Sequence, residues 1–271
     1  MIKYNKYFFM NIKHINQFNN SVSYCPERGG IITSLKFNGQ EVLYFDEETF
    51  NDLMKNVRGG IPILFPNAGA LREDSEFSAL KQHGFARSLI WESENLTDIF
   101  TETLLSGEET RKIYPYDFLL SVIGKFKTDG SFDLNCKVKN REASKSLPIS
   151  MGLHPYFKVP SGEKNNIKFD FEGGEEAENK REVWLNGGTL YLDNPKLKNP
   201  EAVLKIKIPG LGKLIIDASV QYQKIWIWSQ LGKDFICIEP MLRDLDGLLD
   251  NPEIIKPGEE FSANINFKLQ K

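Results

Sequence analysis

Along much of this chain, apolar and polar residues alternate one by one. Phe261, Ala263, Ile265, Phe267 and Leu269 take turns with polar neighbours, the pattern of a strand with one buried face. Phe132, Leu134, Cys136 and Val138 repeat it after the run from Phe118 to Phe126. Between these two runs, Thr128-Asp129-Gly130-Ser131 has the chemistry of a hairpin turn. A second hairpin is expected where Ile32 to Phe37 and Glu41 to Phe45 flank Asn38-Gly39. Further strands are expected over 166–171, 182–185, 203–208, 213–216, 225–229 and 235–239. Helical spacing is scarce: one or two turns over 47–57 and one over 79–82. The charged stretch 172–181, with Gly173-Gly174, reads as a surface loop. Many short strands punctuated by Gly and Pro predict an all-β, antiparallel sandwich. No repeat or linker divides the chain, so residues 1–271 are expected to form a single domain.

Composition narrows the partners. The 271 residues hold 34 Lys and Arg against 37 Asp and Glu, a net charge of −3. That balance lacks the basic surface of a nucleic-acid or membrane-surface protein and leaves a small solute such as a sugar as the natural partner. No run approaches the apolar length of a membrane span. The segment Met1 to Met10 is too mixed for a signal-peptide core, so a cytoplasmic protein is expected, as a monomer or weak homodimer. Cys25, Cys136 and Cys237 are odd in number and form no CxxC pair. They suggest neither a disulfide framework nor a structural zinc site, and buried thiols are expected.

Candidate chemistry concentrates in four places. His14 stands alone near the terminus and is assigned no role. His83 lies in Gln82-His83-Gly84-Phe85-Ala86-Arg87, where Gly84 lets backbone or ligand approach the imidazole. It is either a core histidine satisfied by a carbonyl or a ligand contact. His154 precedes Pro155-Tyr156-Phe157 at a strand end, and a histidine exchanges protons near neutrality. Arg58 meets Gly59-Gly60 and then the apolar run to Pro66. Its guanidinium is a rigid fork of donors, and the di-glycine matches no known phosphate-binding loop. Glu239 follows Phe235-Ile236-Cys237-Ile238. It is a strand-end carboxylate turned either to solvent or into a pocket, where desolvation would raise its proton affinity.

Taken in order, four blocks resemble the signature segments of the aldose 1-epimerase superfamily, closest to its hexose-6-phosphate mutarotase branch. They are Arg58-Gly59-Gly60-Ile61-Pro62-Ile63-Leu64-Phe65-Pro66, Gln82-His83-Gly84-Phe85-Ala86-Arg87, Leu153-His154-Pro155-Tyr156-Phe157 and Ile238-Glu239-Pro240. The resemblance runs from about residue 25 to 270. It implies the large twisted antiparallel β-sandwich of the galactose mutarotases and the interconversion of α and β anomers of a hexose or hexose 6-phosphate. It also implies Glu239 as catalytic base and His154 as catalytic acid, with Arg58, His83, Gln82 and Arg87 binding substrate and neither metal nor cofactor required. The chain departs from the family in two places. No mid-chain aspartate clearly matches the one that binds sugar hydroxyls, and Met241 to Asp246 differ from the usual sequence after the glutamate. Tyr156, Phe157, Trp226 and Trp228 are the aromatics available to stack on a sugar. Two other readings remain open here: a carbohydrate-binding sandwich without catalysis, and a metal-dependent β-barrel enzyme using His83, His154 and Glu239.

Overall fold

The computed structural model describes residues 10–270. The expectation about Met1 to Met10 falls, except for Met10, outside the described residues. About 44% of the chain is strand and 16% helix, and every ladder between named strands is antiparallel. The fold is therefore the all-β sandwich that the alternation predicted.

Its largest sheet has eight strands. In order they are Lys168–Asp170, Leu204–Ile208, Gly212–Ala218, Glu260–Gln270, Phe132–Asn140, Phe118–Phe126, Ile99–Leu105 and Glu92–Leu96. The alternating residues Phe118, Leu120, Val122, Leu134, Cys136, Val138, Ile265 and Phe267 are fully buried. Facing this sheet is one of six strands: Leu190–Asp193, Lys224–Ser229, Phe235–Met241, Gly152–Leu153 and Ile63–Leu64 in order, with Tyr156–Lys158 also paired to Phe235–Met241. A four-stranded sheet (Lys13–Gln17, Asn20–Cys25, Ile31–Phe37, Gln40–Glu41) and the pair Leu147–Ile149 with Glu253–Ile255 complete the sheets among the described residues.

The six-stranded sheet positions the site because its two faces differ. Ile225, Ile227, Ile236, Ile238, Leu190, Leu192 and Phe157 join the main core shared with the large sheet. The intervening residues, Trp226, Trp228, Phe235, Cys237, Glu239 and Tyr156, point the other way. Register makes this explicit. Trp226 lies opposite Glu239 and Trp228 opposite Cys237 on one side, and Tyr156 lies opposite Cys237 on the other. Residues directly opposite in a ladder share a face. That is why Phe235–Met241 is buried at every position: each face has its own cover.

The structure corrects several expectations. The segment 182–185 is not a strand but part of the helix Arg181–Leu185. Arg181 donates to the carbonyls of Lys164, Asn165 and Ile167, and Trp184 Nε1 donates to Ala177. A short apolar run has no periodicity of its own to separate helix from strand. The loop expected over 172–181 contains a helix, Gly174–Asn179, with Ala177 buried. Residues 79–82 form turns and no helix, whereas 47–57 holds one short helix, Glu47–Asn51, capped by Asp46 accepting from Thr49 N–H. The expected strand 41–45 reduces to Gln40–Glu41 and isolated bridges at Leu43 and Phe45. Lys13–Gln17, Asn20–Cys25, Glu92–Leu96, Ile99–Leu105 and Leu190–Asp193 are strands that the pattern did not reveal. All three cysteines are free and buried, and His14 sits in a strand with Nδ1 2.8 Å from Ser23 Oγ.

Candidate active site

A cavity of about 700 Å³ opens over the exposed face of the six-stranded sheet. All six residues singled out in the sequence line it: Arg58, Gln82, His83, Arg87, His154 and Glu239. Tyr156, Trp226 and Trp228 line it as well. Phe157 does not: it pairs with Ile236 and packs against Phe267 in the core, because successive strand residues alternate sides.

Glu239 and His154 form the floor. They are 2% and 7% exposed, with His154 Nδ1 3.5 Å from Glu239 Oε1. The His154 ring stacks on Tyr156 at 4.7 Å and meets His83 edge-on at 5.4 Å. His83 and Gly84 both have positive φ, 69° and 65°. A Cβ on Gly84 would lie 2.0 Å from the Phe65 carbonyl oxygen, so only glycine allows this turn. The turn brings His83 Nδ1 onto the Ala68 carbonyl oxygen. With Nδ1–H donating there, Nε2 is left as an acceptor. Both readings of His83 thus hold together: a carbonyl satisfies one nitrogen, and the ring still borders the cavity.

The arginines occupy the upper wall. Arg58 Nη1 donates to Gln230 Oε1 at 2.8 Å, and Arg87 Nη2 donates to the Gln82 carbonyl at 3.2 Å. Each keeps further N–H groups for a ligand. The loop carrying Arg58 is fastened from below by Arg28, which donates to the carbonyls of Thr49, Phe50, Asp52 and Lys55. Sequence reasoning missed Thr49, Lys55, Thr189 and Tyr191, which also line the cavity; Tyr191 meets Trp226 edge-on at 5.1 Å. Trp226 Nε1 is buried without a partner among the described residues. Neither Asp193 nor Asp217 reaches the cavity; they pair with Lys224 and Lys196 at 2.8 and 3.0 Å. Among the described residues, Glu239 is the one carboxylate in the lining.

Burial sets the electrostatics. It pushes the Glu239 carboxyl well above the usual carboxylate range. It pushes His154 well below the usual imidazole range, with His83 and Arg87 adding to the effect. His83 falls to about 4, through burial first and Arg87 second. Desolvation disfavours the charged form of each group. Both shifts favour the uncharged forms over a closed ion pair at the 3.5 Å contact.

A metal ion would find a different set of ligands from the triad envisaged in the sequence. Among the described residues, the group close enough to hold one is His154, Cys237 and Glu239, without His83.

The sequence profile of a family described as aldose 1-epimerase matches residues 13–209. That stretch contains Arg58, Gln82, His83, Arg87 and His154 and ends before Glu239. A Salmonella typhimurium protein named "Putative glucose-6-phosphate 1-epimerase" is 33% identical over 74% of this chain and 72% of its own. The crystal structure of the Slr1438 protein from Synechocystis superposes with a TM-score of 0.78 at 27% identity, covering 98% of this chain and 99% of the other. A galactose mutarotase-like protein from Lactobacillus casei shares the fold with a TM-score of 0.75 at 21% identity, over 96% of this chain and 100% of the other.

Proposed function

Because the chain belongs to the aldose 1-epimerase family, we propose that it interconverts the α and β anomers of a hexose or hexose 6-phosphate by acid–base opening and closing of the sugar ring. The observation that carries this reading is the buried Glu239–His154 contact on the floor of a polar cavity. Mutarotation needs one group to take the proton of the C1 hydroxyl and another to give one to the ring oxygen. The pair holds one proton, which is the inventory required.

The electrostatics give the cycle a direction. In the reactive form Glu239 is a carboxylate and His154 an imidazolium. Glu239 takes the C1 hydroxyl proton while His154 donates to the ring oxygen, and the bond between C1 and that oxygen breaks. The open-chain aldehyde is then accompanied by a protonated Glu239 and a neutral His154, the pair that burial favours. Rotation about the C1–C2 bond presents the other carbonyl face, and closure returns both protons. Reaching the reactive form requires a proton to cross from Glu239 to His154. Sugar hydroxyls that hydrogen-bond the carboxylate favour that transfer. His83 Nε2 is placed to accept from a sugar hydroxyl, Tyr156, Trp226 and Trp228 offer faces to the ring, and Trp226 Nε1–H offers a donor. Arg58 and Arg87 favour a substrate with an anionic group such as a 6-phosphate. Glycoside hydrolysis by a carboxylate pair lacks its second carboxylate in the described lining.

The test is anomer exchange followed by NMR over a panel of free and 6-phosphorylated hexoses. Acceleration of at least one member is expected, and no acceleration of any would overturn the reading.

A further inference from the structure

The strand that carries Glu239 also carries a thiol beside it. Cys237 lies two residues earlier on the same face, fully buried and walled by Tyr156, Phe235 and Trp228. It does not line the cavity. One ligand atom from each of His154, Cys237 and Glu239 falls within 4.8 Å of the others. His154 Nδ1 is 3.5 Å from Glu239 Oε1 and is buried without a hydrogen-bond partner among the described residues. A buried polar atom left unmatched costs free energy until something occupies it.

Tetrahedral zinc bound at about 2.0–2.3 Å by sulfur, nitrogen and oxygen sets its ligand atoms roughly 3.3–3.8 Å apart. The three side chains need close by only about 1 Å to reach that spacing. We propose that His154, Cys237 and Glu239 form a three-ligand site for a thiophilic divalent cation of the zinc class, and that occupancy switches off the acid–base pair. The binding itself is independent of the activity assigned above; the switching-off rests on it.

Charge balance supports the choice of ion. Arg58 and Arg87 raise the potential around His154 and oppose a bare cation. A thiolate and a carboxylate together cancel two positive charges, so the occupied site gains no net charge, and the displaced protons leave to solvent. Softness decides among cations: a thiolate–imidazole–carboxylate set suits zinc, cadmium and cobalt, whereas magnesium and calcium prefer oxygen alone. The fourth position stays open to water. Zinc takes both groups that the sugar needs, so inhibition is competitive with sugar.

The test titrates the metal-stripped full chain with cobalt(II) and zinc(II), alongside Cys237→Ser and Cys237→Ala. The wild type should develop a thiolate-to-cobalt charge-transfer band at one equivalent, displaced by zinc, and both variants should lack it. Zinc should inhibit anomer exchange reversibly in the wild type. The variants should keep the basal rate and need at least about tenfold more zinc for the same inhibition. Chelator alone should leave the wild-type rate unchanged or raise it. A wild type without the band overturns the site whatever the variants do, as does a band or zinc sensitivity that persists in both variants. A band that behaves as expected on a protein accelerating no aldose sinks the mutarotase reading and leaves the metal site standing.

Discussion

Replacing Glu239 by Gln should improve the protein's stability while removing its chemistry. Glutamine keeps the shape of the side chain but takes no proton near neutrality. General acid–base catalysis contributes about 10²–10⁴-fold, so the exchange rate should fall by two to four orders of magnitude, about 3–5 kcal/mol of barrier. The stability effect follows from the same burial. Glu239 is 2% exposed and its proton affinity is raised by desolvation. A group raised in the folded state contributes stability that is fully present below its unfolded value and is lost as pH rises. Glutamine has nothing to lose. The variant should therefore unfold at a higher temperature than the wild type, by a margin that widens from about pH 5 to about pH 8. Thermal unfolding at the two pH values and anomer exchange by NMR are the assays. A variant that is inactive but loses its stability advantage as pH rises would refute the burial argument. One that stays active would remove Glu239 from the mechanism.

Three further outcomes can be checked directly. Arg87→Ala should weaken use of a hexose 6-phosphate ten- to a hundredfold more than use of the free hexose, the value of a lost charge-assisted contact of about 1.5–3 kcal/mol; equal losses in kcal/mol on both would assign Arg87 to the wall or the sugar ring. Gly84→Ala should cost more than about 2 kcal/mol in urea unfolding, since its φ is 65° and the new Cβ would meet the Phe65 carbonyl; a neutral result would mean the His83 turn is pliable. Glu102 is fully buried in the large sheet, and its carboxylate oxygens find no partner among the described residues. Burial raises its proton affinity, so Glu102→Leu should stabilise more at about pH 8 than at about pH 5, and a gain over the wild type that is equal at both pH values would contradict that placement.

The parts of the molecule legible in the sequence are those where several residues agree. Five alternating positions in 261–269 and four in 132–138 leave little doubt about strands. The four blocks around Arg58, His83, His154 and Glu239 hold all six polar residues singled out in the sequence, but not the lining contributed by Thr49, Lys55, Thr189, Tyr191 and Leu245. Tyr191 comes from Leu190–Asp193, where Leu190-Tyr191-Leu192 gives a single alternation, too brief to separate from a turn. The helix Arg181–Leu185 was misread because Val183-Trp184-Leu185 is apolar in every direction, and the contact that decides the matter, Trp184 to Ala177, is tertiary. Phe157 was grouped with Tyr156 because sequence shows neighbours without showing sides. The role open to Cys237 was equally hidden, since its proximity to His154 arises only when Tyr156–Lys158 and Phe235–Met241 align.

The two-faced character of the Phe235–Met241 strand also bears on which changes this protein can survive over generations. Inserting or deleting one residue there would turn Glu239 into the core and send Ile238 to the cavity floor, since a one-residue slip exchanges the two sides of a strand. A single frame-preserving indel would thus break the Glu239–His154 contact and bury a carboxylate between the sheets. Point substitution is the path left open to this strand. Changes of length are confined to the connections around it, such as the loop held by Arg28 and the turn before Tyr191. Those connections border the cavity, so variants that gain or lose residues there should alter which ligands are admitted while leaving Glu239 and His154 in place.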